Sequence, residues 1–132
     1  MRLFVDASSR GWAAVLKQQN SDGLWLPCIY VSRQFNPAQR KYSATDRETL
    51  GVVKAARTLG KYVIGNPRCT IYNDHKAVSA LINRDPIDLS AKQSRWLSSI
   101  NDWGLCIRWK PAARNPRVRG GRPSSAGARG LE

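Results

Sequence analysis

Residues 45–74 read TDRETLGVVKAARTLGKYVIGNPRCTIYND, and this stretch decides the architecture. Val52, Ala55, Ala56, Leu59 and Val63 recur at i, i+3, i+4, i+7 and i+11, one apolar stripe on a helix predicted over Thr45–Val63. Gly65-Asn66-Pro67 stops that helix, and Arg68–Asn73 follows as a strand closed by Asp74. A strand that is reached through a crossover helix runs parallel to its partner. The rest of the chain must supply that partner.

Upstream, Arg2–Ala7 is a short apolar strand containing an acid near its end, and Ser8–Arg10 with Gly11 makes a turn. Trp12–Gln18 is a second strand, Asn20–Gly23 turns again, and Leu24–Arg33 is a third, so the three form an antiparallel meander. Phe35–Lys41 reads as a polar linker. Downstream, His75–Asn83 is a short helix and Asp85–Leu89 a loop. Ala91–Trp103 is a helix with Trp96, Leu97 and Ile100 on one side, Gly104 breaks it, and Leu105–Trp109 is a fifth strand. The order β-β-β-α-β-α-α-β predicts an α/β domain, a mixed sheet covered by helices, with the fourth strand most simply parallel to the first.

Composition sets the boundaries. A chain of 132 residues allows one compact domain, and 42 % apolar residues suffice for its core. All five tryptophans lie in residues 1–110, whereas residues 111–132 hold five arginines, four glycines and three prolines with no aromatic residue. The first part is therefore the domain, and the second is expected to be a disordered basic tail. The longest apolar run, Leu24–Val31, is interrupted by Pro27 and too short to span a bilayer, and Asp6 interrupts any signal-peptide core. Secreted and integral-membrane readings are thus poor, and an intracellular protein is expected. Cys28, Cys69 and Cys106 lack metal or redox spacing and are expected to be reduced and mostly buried. The excess of 22 basic over 9 acidic side chains gives +13, which suits a polyanion such as nucleic acid.

Two acids stand out by position. Asp6 and Asp74 each close a short apolar strand, so parallel neighbours would bring both carboxylates to one sheet edge. Taken singly, Asp6 is equally a turn-former and Asp74 a helix cap. Glu48 also has two readings. Thr45-Asp46-Arg47-Glu48 has the form of a capping box, yet Glu48 lies four residues before Val52 on the sheet-facing stripe. A carboxylate facing the core is costly unless a cation neutralises it. An all-oxygen site of Asp6, Glu48 and Asp74 suits magnesium.

Blocks of residues in order along 3–111 carry a resemblance. They are Phe4-Val5-Asp6-Ala7-Ser8 with Gly11 and Ala14-Val15-Leu16; Tyr30-Val31-Ser32-Arg33 with Tyr42-Ser43 and Thr45 to Leu50; Tyr62-Val63-Ile64-Gly65 and Asn73-Asp74-His75; and Arg95-Trp96, Asp102-Trp103 and Ile107 to Pro111. Together they resemble the RNase H domain of reverse transcriptases from gypsy-class LTR retrotransposons. The resemblance implies an RNase H-like fold: a five-stranded mixed sheet of order 3-2-1-4-5 with helices on both faces. It also implies that Asp6, Glu48 and Asp74 are the first three members of an Asp-Glu-Asp-Asp site. The implied reaction is magnesium-dependent hydrolysis of the RNA strand of RNA–DNA hybrids, with manganese as a substitute. Two ions serve the family, Asp6 bridging both and Glu48 with Asp74 holding the one on the leaving-group side. The implied partners are the hybrid and the polymerase and connection domains of one polyprotein, in a cytoplasmic virus-like particle or the nucleus. Integrase and transposase relatives of the fold place Glu last, unlike Glu48 here.

The resemblance also has a gap. The family carries its fourth Asp soon after the fifth strand, in an Ala-Asp-Ala-Leu-Ser-Arg-like segment that opens a last helix. Asn115-Pro116-Arg117-Val118-Arg119-Gly120-Gly121-Arg122 stands there instead, and Glu132 is the only acid after Asp102. Codons for Gly120-Gly121-Arg122-Pro123, read one base later, permit Ala-Asp-Ala-Leu, as a frameshift or a reading frame from a decayed element copy would leave. Because Met1 lies just before the first strand, the expected source is a polyprotein fragment or a remnant with a new start. A site with three acids binds one ion at least and cleaves weakly; the alternative is a remnant that binds nucleic acid without cutting it. Ser8, Arg10, Arg33, Arg40, Lys41 and His75 are candidate hybrid contacts, with a turn hydroxyl, a solvated basic face and a helix-start residue as their ordinary readings. The tryptophans are expected to pack in the core and at its edges.

Overall fold

In the computed structural model, which describes residues 1–109, the meander is formed by β1 (Arg2–Ala7), β2 (Gly11–Gln19) and β3 (Trp25–Gln34). The first turn is closed by the Ser8 N–H on the Gly11 carbonyl at 2.8 Å, and Gly11 lets β3 approach, since a Cβ there would lie 2.2 Å from the Arg33 carbonyl oxygen. The second is closed by the Asn20 N–H on the Leu24 carbonyl at 2.8 Å, with Gly23 at φ 84°. The chain continues through α1 (Pro37–Arg40), α2 (Ala44–Thr58) and α3 (Gly60–Val63) into β4 (Thr70–Asn73). It then forms α4 (Lys76–Ile82), α5 (Ala91–Asp102) and β5 (Cys106–Trp109). The sheet order is β3-β2-β1-β4-β5. β1 is antiparallel to β2 and parallel to β4, which is parallel to β5. Strand order and directions are those expected.

Alternation along the strands separates two faces. Leu3, Val5, Ala14, Leu16 and Ile71 turn one way and meet the predicted stripe Val52, Ala55, Ala56, Leu59 and Val63, all buried. Each such side chain removed from water contributes on the order of 1.5–3 kcal/mol for the larger residues. Gly51 allows this approach, since a Cβ there would already sit 3.3 Å from that of Trp12 and 3.5 Å from that of Ala7. α4 and α5 pack against α2. A buried Asp46 on α2 ties down α5 by accepting from Gln93 Nε2 at 2.9 Å and pairing with Lys92 Nζ at 2.9 Å. On the other face the rings of Phe4 and Tyr72 stack at 5.3 Å, and the Arg2 guanidinium lies 4.0 Å from the Trp25 ring centre. No helix among the described residues is long and apolar enough to cross a membrane.

Several local expectations are corrected. The linker contains α1, because Asn36 and Gln39 cap each other reciprocally ahead of Pro37. The predicted helix Thr45–Val63 is two helices, interrupted at Leu59 with its ψ of 28°, although the stripe stays buried across the break. Its cap is Ser43, whose side chain accepts from Asp46 N at 3.1 Å, so Thr45 and Glu48 form no capping box. His75, and not Asp74, occupies the N-cap of α4, and without a side-chain capping bond. The 85–89 loop holds a 3-10 turn over Pro86–Asp88. Cys69 is buried, but Cys106 is half-buried and Cys28 exposed, because β3 is an edge strand. The tail, the absent fourth acid's segment and the family's last helix all fall in residues 110–132, outside the described residues.

Candidate metal centre

The parallel pairing of β1 and β4 puts Phe4 beside Tyr72. Asp6 and Asp74 each lie two positions further on, so both emerge at the same sheet edge, and both are half-buried. Glu48 arrives from α2, held close to the sheet by the bare Cα of Gly51 one turn later. One carboxylate oxygen from each of Asp6, Glu48 and Asp74 lies within 4.8 Å of the others.

Glu48 sets the electrostatics. Its Oε2 accepts the Ala7 backbone N–H at 3.2 Å, while its buried Oε1 finds no hydrogen-bond partner among the described residues. Burial first, and the charges of Asp6 and Asp74 next, push its carboxyl up to about 9; the Ala7 N–H and Arg47 act weakly the other way. An orphaned buried oxygen facing two further carboxylates is what a cation would satisfy. Oxygen donors alone suit a hard divalent cation. The residues therefore fit a divalent cation.

The other candidates lie around this edge without joining the cluster. Ser8 Oγ is turned into its own turn, accepting from Arg10 N at 3.1 Å and Gly11 N at 3.3 Å. Arg10 and Arg33 are exposed at the same end of the sheet, where Trp12 pairs with Arg33 and Phe35 N donates to the Arg10 carbonyl. Arg40 and Lys41 are exposed at the end of α1, the Arg40 Nε donating to the Phe35 carbonyl at 3.2 Å. His75 follows Asp74 with its Nδ1 buried and without a hydrogen-bond partner among the described residues. Two residues missed in the sequence also meet the Asp74 turn. Asn73 Oδ1 accepts from His75 N at 3.1 Å, and the Trp109 indole Nε1–H donates to the Asp74 carbonyl at 3.2 Å. The strand pairing of Asn73 with Trp109 is what brings the indole there.

Comparison with known proteins adds a lineage. Residues 1–103 match the family described as the RNase H-like domain found in reverse transcriptase. The retrovirus-related Pol polyprotein from transposon opus of Drosophila melanogaster is 31 % identical over 114 residues, covering 86 % of this chain. The chain spans 11 % of that polyprotein's length. A foamy viral protease–reverse transcriptase solved with an RNA/DNA hybrid superposes with a TM-score of 0.62 at 17 % identity, over 99 % of this chain and 18 % of its own. RNase H1 from the halophilic archaeon Halobacterium salinarum gives 0.56 at 15 % identity, over 85 % of this chain and 86 % of its own. At such identities the two structures speak for the fold alone.

Proposed function

The chain belongs to the RNase H-like domains found in reverse transcriptase, and on that premise we propose that it hydrolyses the RNA strand of RNA–DNA hybrids at Asp6, Glu48 and Asp74. The observation that carries this reading is the convergence of three carboxylates within 4.8 Å around a buried, unpartnered Glu48 oxygen. Asp6, Glu48 and Asp74 hold a divalent cation, with magnesium as the first choice and manganese as its substitute. Bound there, the ion supplies Lewis-acid stabilisation of the phosphate and eases deprotonation of the attacking water. The Ala7 N–H holds the Glu48 carboxylate toward that cation, and burial keeps water from competing for it. Arg10, Arg33, Arg40 and Lys41 supply phosphate contacts at the same end of the domain, which read backbone and shape rather than bases. In a longer retrotransposon polyprotein the domain would work beside polymerase and connection segments, inside virus-like particles or the nucleus.

A second reading has its own observation: after Asp102 the sequence offers only Glu132 as an acid. In that reading the chain binds hybrid through its basic surface and cuts nothing. A labelled-hybrid assay with magnesium and with manganese separates the two. Cleavage that is lost in Asp6→Asn supports the enzyme; retention of hybrid without a cut in either metal supports the binding remnant.

A further inference from the structure

The three acids are not anchored alike. Asp6 lies inside β1, paired with Ala13 of β2, and Glu48 is held by the Ala7 N–H. Asp74 lies beyond the last residue of β4, in a two-residue link before α4 starts at Lys76. The cap of α4 contributes no side-chain bond to that link. Hydrogen bonds on this link include Asn73 Oδ1 on the His75 N–H, the Val78 N–H on the His75 carbonyl at 3.1 Å, and the Trp109 indole N–H on the Asp74 carbonyl; of these only the last comes from a distant strand and acts on Asp74 itself. Ligating carboxylates must be placed to within about 0.5 Å, so a backbone free to rotate at Asp74 would blur the site.

We propose that Trp109 is a positioning residue of the metal centre, its indole N–H fixing the Asp74 backbone and so aiming the carboxylate at the cation. The inference rests on the metal-binding reading above. An indole donates and cannot accept, so Trp109 holds the carbonyl without competing for the ion. Packing alone does not account for the residue, since Trp109 is 43 % exposed with the Lys76 ammonium 5.4 Å from the ring centre. Strand register, not chain proximity, sets its place, because β5 puts Trp109 opposite Asn73.

The test is Trp109→Phe in the full chain, which keeps an aromatic ring and removes the N–H. Manganese binding is measured by calorimetry, beside the metal-free melting temperature. The expected result is a manganese dissociation constant raised about 10-fold, the range for losing a group that orients a ligand, at a nearly unchanged metal-free melting temperature. Trp103→Phe, which alters a ring near Arg57, should leave the constant at its wild-type value. Wild-type affinity in Trp109→Phe overturns the inference alone; a wild-type chain that binds no manganese overturns the metal-centre reading and this inference with it. Should the variant not fold, the wild-type chain decides by NMR. On adding magnesium the Trp109 indole N–H signal should move more than those of Trp12, Trp25, Trp96 and Trp103, and an unmoved signal refutes the proposal.

Discussion

Glu48 Oε2 accepts the backbone N–H of Ala7 at 3.2 Å, joining α2 to β1 one residue past Asp6. This single bond aligns a helix carboxylate with a strand carboxylate and leaves Oε1 buried without a partner among the described residues. Three acids close together repel one another and lose hydration, so a divalent cation bound among them would relieve a local strain. The metal should raise the melting temperature, and Asp6→Asn should abolish most of that rise. A melting temperature indifferent to magnesium and manganese would contradict it.

The same geometry sets a pH dependence. Folded Glu48 keeps its proton up to about 9, against an ordinary value of 4.5. A raised pKa means that the folded state binds the extra proton. Its contribution to stability is therefore complete below the ordinary value and is lost as pH rises through about 9. The metal-free chain should thus lose melting temperature steadily between those limits. Glu48→Gln carries no proton to release and should flatten the curve, whereas saturating magnesium, which favours the charged form, should weaken it in the wild type. Superimposable curves for wild type and Glu48→Gln in a chelator would refute this account.

Gly51 gives a packing test of the site. A Cβ 3.3 Å from that of Trp12 is tight, and a branched side chain would not fit without moving α2. Gly51→Val should cost about 1–3 kcal/mol by overpacking. Because α2 carries Glu48, it should also weaken manganese binding. Loss of stability in urea with unchanged metal affinity would show that the helix adjusts without disturbing Glu48.

Asp46 predicts a stability effect that leaves the metal alone. Its carboxylate accepts from Gln93 and pairs with Lys92 while 7 % exposed. Asp46→Ala should cost about 1–3 kcal/mol, since it removes a hydrogen-bonded charge and strands Gln93. Lys92→Ala should cost under about 1 kcal/mol, because the ammonium is partly in water and screened. Equal losses in urea denaturation would mean that the ion pair, not the Gln93 bond, holds α5.

How far the sequence could be read follows from which forces act locally. Val5-Asp6 and the stripe from Val52 to Val63 carry their own periodicity, so the parallel pairing of β1 with β4 and the meeting of Asp6, Glu48 and Asp74 were legible, whereas the full strand order came from the family resemblance. The break at Leu59 was not, because the apolar repeat runs straight through it. Ser43 and Thr45 are both acceptable caps, and only the packed helix selects Ser43, which freed Glu48 from the capping role. Cys28 sits among Leu26, Pro27 and Ile29 and reads as buried; its exposure comes from β3 lying at the sheet edge, a property of strand order. The Trp109–Asp74 bond spans 35 residues and has no local signature.

The last prediction concerns the missing acid. On the proposed reading three carboxylates would hold one divalent ion, whereas the family resemblance implies a fourth near the attacking water, and here the sequence after Asp102 offers only Glu132. Loss of that fourth acid should impair water activation far more than stability. Replacing residues 115–132 with an Asn-Val-Val-Ala-Asp-Ala-Leu-Ser-Arg-like ending restores a carboxylate at that point of the chain. Cleavage of labelled hybrid should rise by about 10²-fold or more, since a well-placed metal contact is worth several kcal/mol of transition-state stabilisation. The same ending with Asn in place of its Asp should give no such rise, which separates the carboxylate from any gain in folding. If the repaired chain binds hybrid and manganese yet cuts nothing, the domain is a binding remnant. If the unrepaired chain already cuts as fast as the repaired one, another group completes the site, and three acids were never its limit.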